Sequence, residues 1–359
     1  MQSFEHGQAA TELPDPSRVR YESTGEMSDF EALRQITQLA DYIVPICIRT
    51  VSDLGVADVL ADGPMSIADL ASKTGTHERS LQRVMRALAC RGIFSEVEPG
   101  HFALTKLADL LRSDHPLSVR DGYPLLPADI RAYARFDHAV KTGEPSFDLV
   151  HDGKNYWEYH AENPVESERF DRTQAAGTKL EAMAALRAYD WTGLDTVCDV
   201  GGGNGMFLAS LLSRRRKMKG ILVDQAHVVA HSAGVFQRAG VADRCQVVGR
   251  SLFETPPSGA DAYLVKRILW GWADEDVLKI LRNIRSAMGE GSRLLAIEPV
   301  ARPGDDWDIG KIWDLHMLAL DYGWSRSREE HEAIFAEAGL RLTRIVETPF
   351  YPVIEALPV

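Results

Sequence analysis

The densest group of residues that could hold a cofactor is the run TVCDVGGGNG at residues 196–205. It joins a predicted strand, which ends at Asp199 and Val200, to a predicted helix that starts at about Met206. Glycines at such a join let the backbone turn tightly and approach a ligand closely, because they carry no Cβ. The glycines of this loop are Gly201, Gly202, Gly203 and Gly205. Their spacing predicts a cofactor-binding loop.

The residues around the loop distinguish between cofactors. A dinucleotide loop reads GxGxxG, which from Gly201 requires a glycine where Met206 stands. Further along, the predicted strand GILVD ends in Asp224, an acidic residue placed to hold a ribose diol. A carboxylate before the glycines, and no basic residue within the loop, suit a ligand with an ammonium group rather than a pyrophosphate. S-adenosylmethionine is such a ligand.

A second candidate for chemistry is the run LVKRILWGWADED at residues 264–276, where a predicted strand leads into an amphipathic helix. A join of this kind, downstream of a cofactor loop, is where an enzyme usually places a side chain that handles protons. Trp270, Gly271 and Trp272 stand there instead. An indole cannot act as a base near pH 7, so an enzyme with this sequence needs another base, or none.

Two histidines elsewhere have a spacing that could bind a metal. His227 and His231 in HVVAH share the i, i+4 spacing that can bind a metal. The glutamate of an HExxH motif is missing, and no third ligand is obvious. We expect surface histidines and no metal site.

Composition and charge argue against several classes of protein. The 359 residues suggest two domains. The formal net charge of -12 argues against nucleic-acid binding as the main task, because phosphate contacts dominate that affinity. No apolar run approaches the ~18 residues of a membrane-spanning helix. Isolated cysteines and a polar segment at residues 1–28 predict a flexible leader and a cytoplasmic protein.

The C-terminal half, residues 186–359, has the pattern of an α/β fold. The strands TVCDV, GILVD, CQVVG, AYLVK and RLLAI alternate with helices and are continuously apolar, as in a parallel sheet covered on both faces. A last helix at residues 328–338 precedes RLTRIVET and FYPVIEAL, which we expect to close the sheet as a hairpin. The pattern predicts a doubly wound, Rossmann-like sheet.

The N-terminal half, residues 29–185, is predicted to be mostly helical. From Phe30 to Leu54 apolar residues recur at helical spacing on more than one face, so we expect a helix that a second copy of the chain covers. Residues 65–105 have the pattern of a winged helix-turn-helix, with a helix over Glu78–Cys90. DNA binding and a scaffold role are both open for this unit, and the acidic net charge favours the scaffold.

With these features the chain resembles the class I small-molecule O-methyltransferases, found in plant phenylpropanoid and bacterial polyketide pathways. The shared motifs lie between about residue 30 and the C-terminus and are GEPSF, FDR, YDWTG, DVGGGNG, DLHML and EEHEAIFAEAGL. The resemblance implies S-adenosylmethionine as the cofactor, a Rossmann-like methyltransferase domain and an N-terminal domain that forms a homodimer.

The resemblance also assigns roles to particular residues. The implied cofactor-binding residues are Asp199, Gly201, Gly203 and Gly205 in the loop, Asp224 and Gln225 at the ribose, Ser251 and Leu252 at the adenine, and Lys266 beside the cofactor. His316, in DLHML, lies on a helix that faces the pocket in the family.

Three positions depart from the family pattern. The family reads LKxxLHDW at the strand-to-helix join, with the histidine as general base, and here Trp270 and Gly271 replace its His-Asp pair. Ser251 replaces an aspartate near the adenine, and YGWSRS at residues 322–327 replaces GGxERT. Glu298 stays where the family has the carboxylate that steers the histidine. We expect that carboxylate to have lost its partner.

Three accounts of the function stay open. In the first, the chain methylates a small aromatic or polyketide intermediate mainly by proximity, which can supply ~7–11 kcal/mol of a barrier, and His316 or Glu298 takes the proton if any group does. In the second, the cofactor is kept as a fixed charge for hydroxylation, dehydration or pericyclic cyclisation, with Trp270 as a stacking wall. In the third, the winged helix belongs to a ligand-responsive regulator.

Aromatic residues are expected to enclose the acceptor. Such side chains commonly line pockets for flat apolar ligands, although most aromatics of the N-terminal half will form its core. The predicted pocket residues are Phe136, Phe147, Trp157, Phe170, Trp270, Met317 and Tyr322.

Overall fold

The computed structural model describes residues 27–122 and 125–359. The predicted leader, residues 1–28, lies outside this part except for its last two residues. Among the described helices, none is long and apolar enough to cross a membrane.

Two helices begin the described chain, α1 (Asp29–Leu39) and α2 (Ile43–Asp53). The expectation of one continuous helix over residues 30–54 is therefore wrong. Pro45 explains the break, because its ring excludes the helical carbonyl four residues earlier and it has no N–H to donate. The Asp41 carboxylate then accepts the N–H groups of the first two residues of α2 and starts the new helix.

The apolar side chains of α1 are exposed in the single chain. Phe30 is 83% exposed, and α1 has no buried residue. The other large apolar side chains of this surface, which we call the α1–α2 face, are Leu33, Ile36, Leu39, Tyr42 and Ile43. A continuous apolar face of this size is typical of a protein interface.

A small winged-helix unit follows, which begins at residue 56, nine residues before the predicted start, and otherwise has bounds within one residue of those predicted. Its elements are α3 (Val56–Val59), β1 (Met65–Ser66), α4 (Ile67–Thr74), α5 (Glu78–Ala89), β2 (Phe94–Glu98) and β3 (His101–Leu104). The Ser66 hydroxyl accepts the Asp69 N–H and caps α4, and Gly75 ends it with φ 66°. The three strands form an antiparallel sheet in the order β1-β3-β2.

Six helices lead from this unit to the large sheet. They are α6 (Lys106–Asp109), α7 (Pro127–Tyr133), α8 (Phe136–Thr142), α9 (Ser146–Val150), α10 (Tyr156–Glu162) and α11 (Pro164–Ala188). A separate small core joins α7, α9 and α10 to a helix of the C-terminal half. The predicted domain boundary at residues 185/186 falls inside α11 and stays a prediction.

The C-terminal half contains a seven-stranded sheet in the order β6-β5-β4-β7-β8-β10-β9. Its strands are β4 (Thr196–Val200), β5 (Lys219–Asp224), β6 (Cys245–Gly249), β7 (Ala262–Lys266), β8 (Arg293–Ile297), β9 (Leu340–Val346) and β10 (Val353–Pro358). The first five are parallel, and β10 runs antiparallel to β8 and β9, which confirms the closing hairpin. The strand order reverses beside β4, where ligands bind in sheets of this kind.

Helices cover both faces of this sheet, which confirms the predicted doubly wound fold. They are α12 (Met206–Arg214), α13 (Ala226–Val229), α14 (Ser232–Ala239), α15 (Asp274–Ala287), α16 (Ile309–Leu320) and α17 (Arg328–Glu337). One core packs α12 and α14 against one face, and a second packs α15 and α17 against the other. Both cores hold the carboxyl ends of β4, β5 and β7 in place.

Candidate active site

The glycine loop follows β4 in a conformation that favours glycine. Gly201, Gly203 and Gly205 have φ angles of 73°, 60° and 81°, in the left-handed region. The Gly201 N–H donates to the Val223 carbonyl at 2.8 Å, which holds the loop against the end of β5. A Cβ added to Gly201 would lie 2.5 Å from Ile268 Cδ1. A side chain at that position would therefore displace its neighbours.

Asp199, next to the loop, has a buried carboxylate with an unbonded oxygen. The residue is 1% exposed, and its Oδ2 has no hydrogen-bond partner within the described chain. Burial raises the pKa of Asp199 to about 7, against the opposing effect of the Lys266 charge. A buried carboxylate oxygen without a donor is costly, and a cationic N–H group would stabilise it. This atom fits the ammonium group predicted for the ligand.

Asp224 ties the end of β5 to the glycine loop. Its Oδ2 accepts the Gly203 N–H at 2.9 Å, and its Oδ1 accepts the Gln225 N–H at 2.7 Å. Each carboxylate oxygen has a second lone pair for a further donor. The structure thus brings Asp199, the glycines and Asp224 together at one end of the sheet.

The two residues predicted at the adenine differ in their contacts. Leu252 Cδ2 would lie 3.0 Å from a Cβ on Gly201, so Leu252 forms an apolar wall next to the loop. The Ser251 hydroxyl accepts the Phe253 N–H at 3.3 Å, and the Ser251 N–H donates to Glu254 at 2.9 Å. Ser251 therefore shapes its own turn.

Lys266, at the end of β7, is bonded to α11. Its Nζ donates to Glu181 Oε2 at 2.8 Å and to Thr178 Oγ1 at 3.1 Å. Glu181 is 5% exposed and also lies 3.4 Å from an Arg267 guanidinium nitrogen. Burial lowers the pKa of Lys266, and the Arg267 charge adds to this effect, whereas Glu181 opposes it. Lys266 thus anchors the long helix α11 to the edge of the candidate site.

Glu298 holds the strand-to-helix join through the backbone. Its Oε1 accepts the N–H groups of Ile268 at 2.8 Å and Leu269 at 3.0 Å, and its Oε2 accepts the Trp270 N–H at 3.4 Å. Burial raises the pKa of this carboxyl to about 7, although the three donors lower it. Glu298 has no histidine partner among the residues that the structure describes, and backbone donors occupy the carboxylate instead.

The same turn is clamped from the other side by the segment that replaces GGxERT. The Arg326 guanidinium, 2% exposed, donates to the carbonyls of Leu269 and Trp272, both at 2.8 Å. Gly323 packs directly on the turn, since a Cβ there would lie 2.0 Å from the Trp270 carbonyl oxygen. The backbone of the turn at Trp270 is thereby held by two separate segments of the chain.

From this indole a continuous line of rings leads away, which we call the aromatic row. Its members, in order, are Trp270, Trp313, His316, Tyr133 and Phe136. Successive ring centroids lie 6.3, 4.9, 6.1 and 6.2 Å apart. The row joins the strand-to-helix join of the sheet to helices α7 and α8 of the N-terminal half.

His316 is the titratable group within this row. Its Nδ1 lies 2.8 Å from the Tyr133 hydroxyl, and either group can donate, depending on the imidazole tautomer. Burial lowers the pKa of His316 to about 4, and the Arg49 charge adds to this effect. The imidazole is therefore neutral near pH 7 and keeps a lone pair that can accept a proton.

Comparison with known proteins identifies the family. A model of the O-methyltransferase domain matches residues 133–341, and a model of the O-methyltransferase dimerisation domain matches residues 37–114. The chain belongs to the O-methyltransferase family. It is an S-adenosylmethionine-dependent methyltransferase with an N-terminal dimerisation domain.

Three relatives show the range of the family. The phenazine O-methyltransferase PhzM of Lysobacter antibioticus is 37% identical over 90% of this chain and 95% of its own length. The structure of CalO1, a methyltransferase in calicheamicin biosynthesis with S-adenosylhomocysteine bound, is 34% identical with a TM-score of 0.83, over 93% of this chain and all of that one. The aclacinomycin 10-hydroxylase RdmB of Streptomyces purpurascens is 32% identical over 86% of this chain and 84% of its own length.

In this methyltransferase the predicted pocket residues occupy three kinds of position. Phe136 and Trp270 belong to the aromatic row, and Met317 is buried one residue after His316. Phe147 is 0% exposed inside the small core, and Phe170 packs against that core. The remaining two are exposed and hydrogen-bonded to carboxylates, Trp157 to Asp321 at 3.2 Å and Tyr322 to Asp148 at 3.1 Å.

Sequence reasoning missed several residues that complete the site. In the sequence Tyr133 is one aromatic among many of the N-terminal half, although it bonds His316 across 183 residues of chain. Glu181 and Thr178 lie on a helix with no strong apolar stripe, so nothing in the pattern marked them. The residue types gave no warning, because the contacts depend on how α7, α11 and α16 pack. The part of the chain that the structure describes contains no cluster of potential metal ligands.

Proposed function

We propose that this methyltransferase acts on an oxygen of a small aromatic or polyketide natural-product intermediate, mainly by proximity and orientation. The observation that carries the proposal is the aromatic row, which starts at the indole that stands in place of the family's base. Flat rings at successive distances of about 5–6 Å suit a flat apolar acceptor. The relatives named for phenazine and mitomycin intermediates support the same class.

We assign the cofactor to the cleft between the glycine loop, Asp199 and Asp224. Bound S-adenosylmethionine supplies a sulfonium-activated methyl group. Asp199 offers a buried anionic oxygen to its ammonium, and Asp224 offers lone pairs to ribose hydroxyls. The rigid turn around Trp270 then excludes water and orients the acceptor, which is the kind of help that can supply ~7–11 kcal/mol of a barrier.

His316 is the group that we propose to receive the acceptor's proton when the acceptor is not already ionised. A pKa of about 4 leaves the imidazole neutral, and Tyr133 holds its Nδ1. Glu298 is less suited to this task, because its oxygens face backbone N–H groups. A weakly basic imidazole gives limited assistance, which agrees with catalysis mainly by orientation.

The pH profile is expected to follow the acceptor rather than the protein. At saturating cofactor and neutral pH, a more acidic ring-fluorinated 1-naphthol should react with a higher kcat than 1-naphthol. The difference should be roughly three- to tenfold for each unit by which the two acceptor pKa values differ. Dividing one pH profile of kcat by the other cancels the contribution of protein groups that titrate near pH 7. Equal rates for both acceptors across pH 6 to 9 would show a dedicated base and contradict catalysis by orientation.

A second candidate function is non-methylating chemistry on the same cofactor. Two observations favour it, the similarity to a hydroxylase and the loss of the family's His-Asp pair at Trp270 and Gly271. Mass spectrometry of acceptor and cofactor together separates the two functions. Product gaining 14 Da in step with S-adenosylhomocysteine supports methyl transfer. Acceptor consumed without either signal, but only in the presence of cofactor, supports the alternative.

The active form is proposed to be a homodimer built on the α1–α2 face, without nucleic acid as a partner, in the cytoplasm. Ile36→Glu places a charge in the middle of that face, where Ile36 is 60% exposed in the single chain. The variant is expected to elute as a monomer in light-scattering chromatography, because an unpaired charge in an apolar interface is costly. Val97→Glu, on the 50% exposed wing of the winged helix, is the control and should stay dimeric.

A further inference from the structure

We propose that the acceptor pocket ends in a polar subsite, formed by the Asp129 carboxylate and the Tyr156 hydroxyl, which binds an amino or hydroxyl group of the acceptor. The inference rests on the proposed function, since it names the acceptor class for that same pocket. The acceptor is then an aromatic with a second hydrogen-bond donor at the end opposite the methylated oxygen, and not a carboxylic acid.

The position of Asp129 follows from helix geometry. Asp129 and Tyr133 are four residues apart on α7, so their side chains lie on one face of the helix. Tyr133 reaches the His316 imidazole at 2.8 Å and belongs to the aromatic row. Asp129 therefore lies beside the row, one helical turn from Tyr133 on the same face of α7.

The two polar groups are buried and lack partners. Asp129 Oδ1 and the Tyr156 hydroxyl are closed to solvent, and neither bonds to any group in residues 27–122 or 125–359. Tyr156 is 5% exposed, with its ring 5.0 Å from the Phe147 ring and 4.4 Å from the His160 ring. Buried polar atoms normally have a partner, so a pair without one calls for an explanation.

A neighbouring carboxylate does have protein partners, although both nitrogens of His160 also lack them within the described ranges. Glu166 accepts the Ala128 N–H on one oxygen and the Tyr159 hydroxyl on the other, both at 3.3 Å. Glu166 is thus occupied by protein donors in the same region where Asp129 Oδ1 is not. A hydrogen-bond donor on the acceptor would give Asp129 Oδ1 the partner that it lacks.

Charge around the subsite favours a donor over an anion. Burial raises the pKa of Asp129 to about 7, Glu166 adds to this, and Arg49 opposes it. After burial, Asp129 is the group that most raises the pKa of Tyr156, followed by Glu166 and Asp321. Three carboxylates act on this hydroxyl, so a carboxylate on the acceptor would meet repulsion.

The subsite is tested with four naphthols that share one ring system and differ in the group opposite the hydroxyl. They are bound to the protein saturated with S-adenosylhomocysteine. They are 5-amino-1-naphthol, 1,5-dihydroxynaphthalene, 1-naphthol and 5-hydroxy-1-naphthoic acid. Kd is measured by calorimetry at pH 8. The amino and dihydroxy compounds are expected to bind roughly tenfold or more tightly than 1-naphthol, since a hydrogen bond to a charged group has about that effect. The naphthoic acid is expected to bind more weakly than 1-naphthol.

Substitutions test whether Asp129 and Tyr156 produce this order of Kd values. Asp129→Asn should reduce the preference for the amino compound over the naphthoic acid by roughly tenfold, and Tyr156→Phe should reduce the gain from the second hydroxyl. Asp137→Asn, which removes an exposed carboxylate paired with Lys141 on α8, is the matched control and should leave the ranking unchanged.

Several results would overturn the subsite. They are equal binding of all four compounds, tightest binding of the acid, failure of the amino compound to bind, or a ranking that both substitutions leave intact. Methyl transfer is followed separately by mass. If the ranking holds and no product gains 14 Da, the subsite stands and methylation is refuted. If product forms without the ranking, the subsite is refuted and methylation stands.

Discussion

Asp199→Asn is expected to weaken the binding of S-adenosylmethionine by roughly 30- to 1000-fold, because removing one partner of a buried charge pair costs about 2–4 kcal/mol. Asp199 is 1% exposed and has an oxygen without a hydrogen-bond donor. We propose that the ammonium group of the cofactor is this missing donor. The amide keeps the shape of the carboxylate, removes its charge and replaces one acceptor oxygen by an NH2 donor. Binding is measured by calorimetry with S-adenosylmethionine and with S-adenosylhomocysteine, which lacks the sulfonium charge.

The same substitution weakens cofactor binding but is expected to stabilise the cofactor-free protein against unfolding. Burial holds the folded-state pKa of Asp199 at about 7, against 3.8 for the same group exposed to water, so ionisation opposes folding. A raised carboxyl pKa means that this contribution to stability is present at low pH and is lost as the pH rises through 7. The variant does not titrate, so its advantage should grow between pH 5 and pH 8 to roughly 1–3 kcal/mol, less than the full pKa difference because Lys266 loses an attractive partner.

Thermal unfolding of both proteins at pH 5 and pH 8 checks this sign. Asp195→Asn is the matched control, since it makes the same charge change at an exposed position just before β4. It should alter neither binding nor the pH dependence of Tm. If Asp199→Asn bound the cofactor normally, Asp199 would not be the anionic group of the cofactor site. If it were less stable at pH 8 than at pH 5 relative to the natural chain, ionisation of Asp199 would not oppose folding.

The cofactor site was predictable from the sequence because its parts are local. A strand, four glycines and the next strand's terminal aspartate lie within 29 residues, from Thr196 to Asp224, and each has a preference that survives without tertiary contacts. The doubly wound parallel sheet followed from alternating apolar runs and helices, and the structure confirms it. The break between α1 and α2 was also readable from Pro45, and it was missed because the apolar spacing continues across it.

The acceptor side was not predictable in the same way. Its contacts join segments far apart in the chain, as with Tyr133 and His316, and aromatic residues in a helical segment look alike whether they form core or pocket. Phe147 and Trp157 illustrate this, since one is enclosed in the small core and the other is 61% exposed. The bonding of Glu298 to backbone N–H groups was unpredictable for a related reason. A carboxylate near a turn can bond backbone N–H groups, and no sequence pattern distinguishes that from a side-chain partner.

Gly323→Ala is expected to lower kcat about a hundredfold and to destabilise the protein. The new Cβ would lie 2.0 Å from the Trp270 carbonyl oxygen and 2.8 Å from the Gly271 Cα, so backbone must move. A displacement of about 1 Å in positioning groups can cost ~10²-fold in rate, and overpacking of this kind costs about 1–3 kcal/mol. Because methyl transfer is proposed to depend on orientation, the loss should appear in kcat more than in the Kd for the cofactor.

Gly271→Ala supplies the matched control within the same turn. A Cβ on Gly271 meets no atom within 4 Å, so this variant should keep its Tm and most of its kcat. The two alanines differ only in which side of the turn they occupy, since Gly323 presses on the Trp270 backbone and Gly271 faces open space. If both variants were fully active, the position of the Trp270 turn would not limit the reaction. If both lost cofactor binding as well as kcat, the turn would act through the fold of the cofactor domain and not through the orientation of the acceptor.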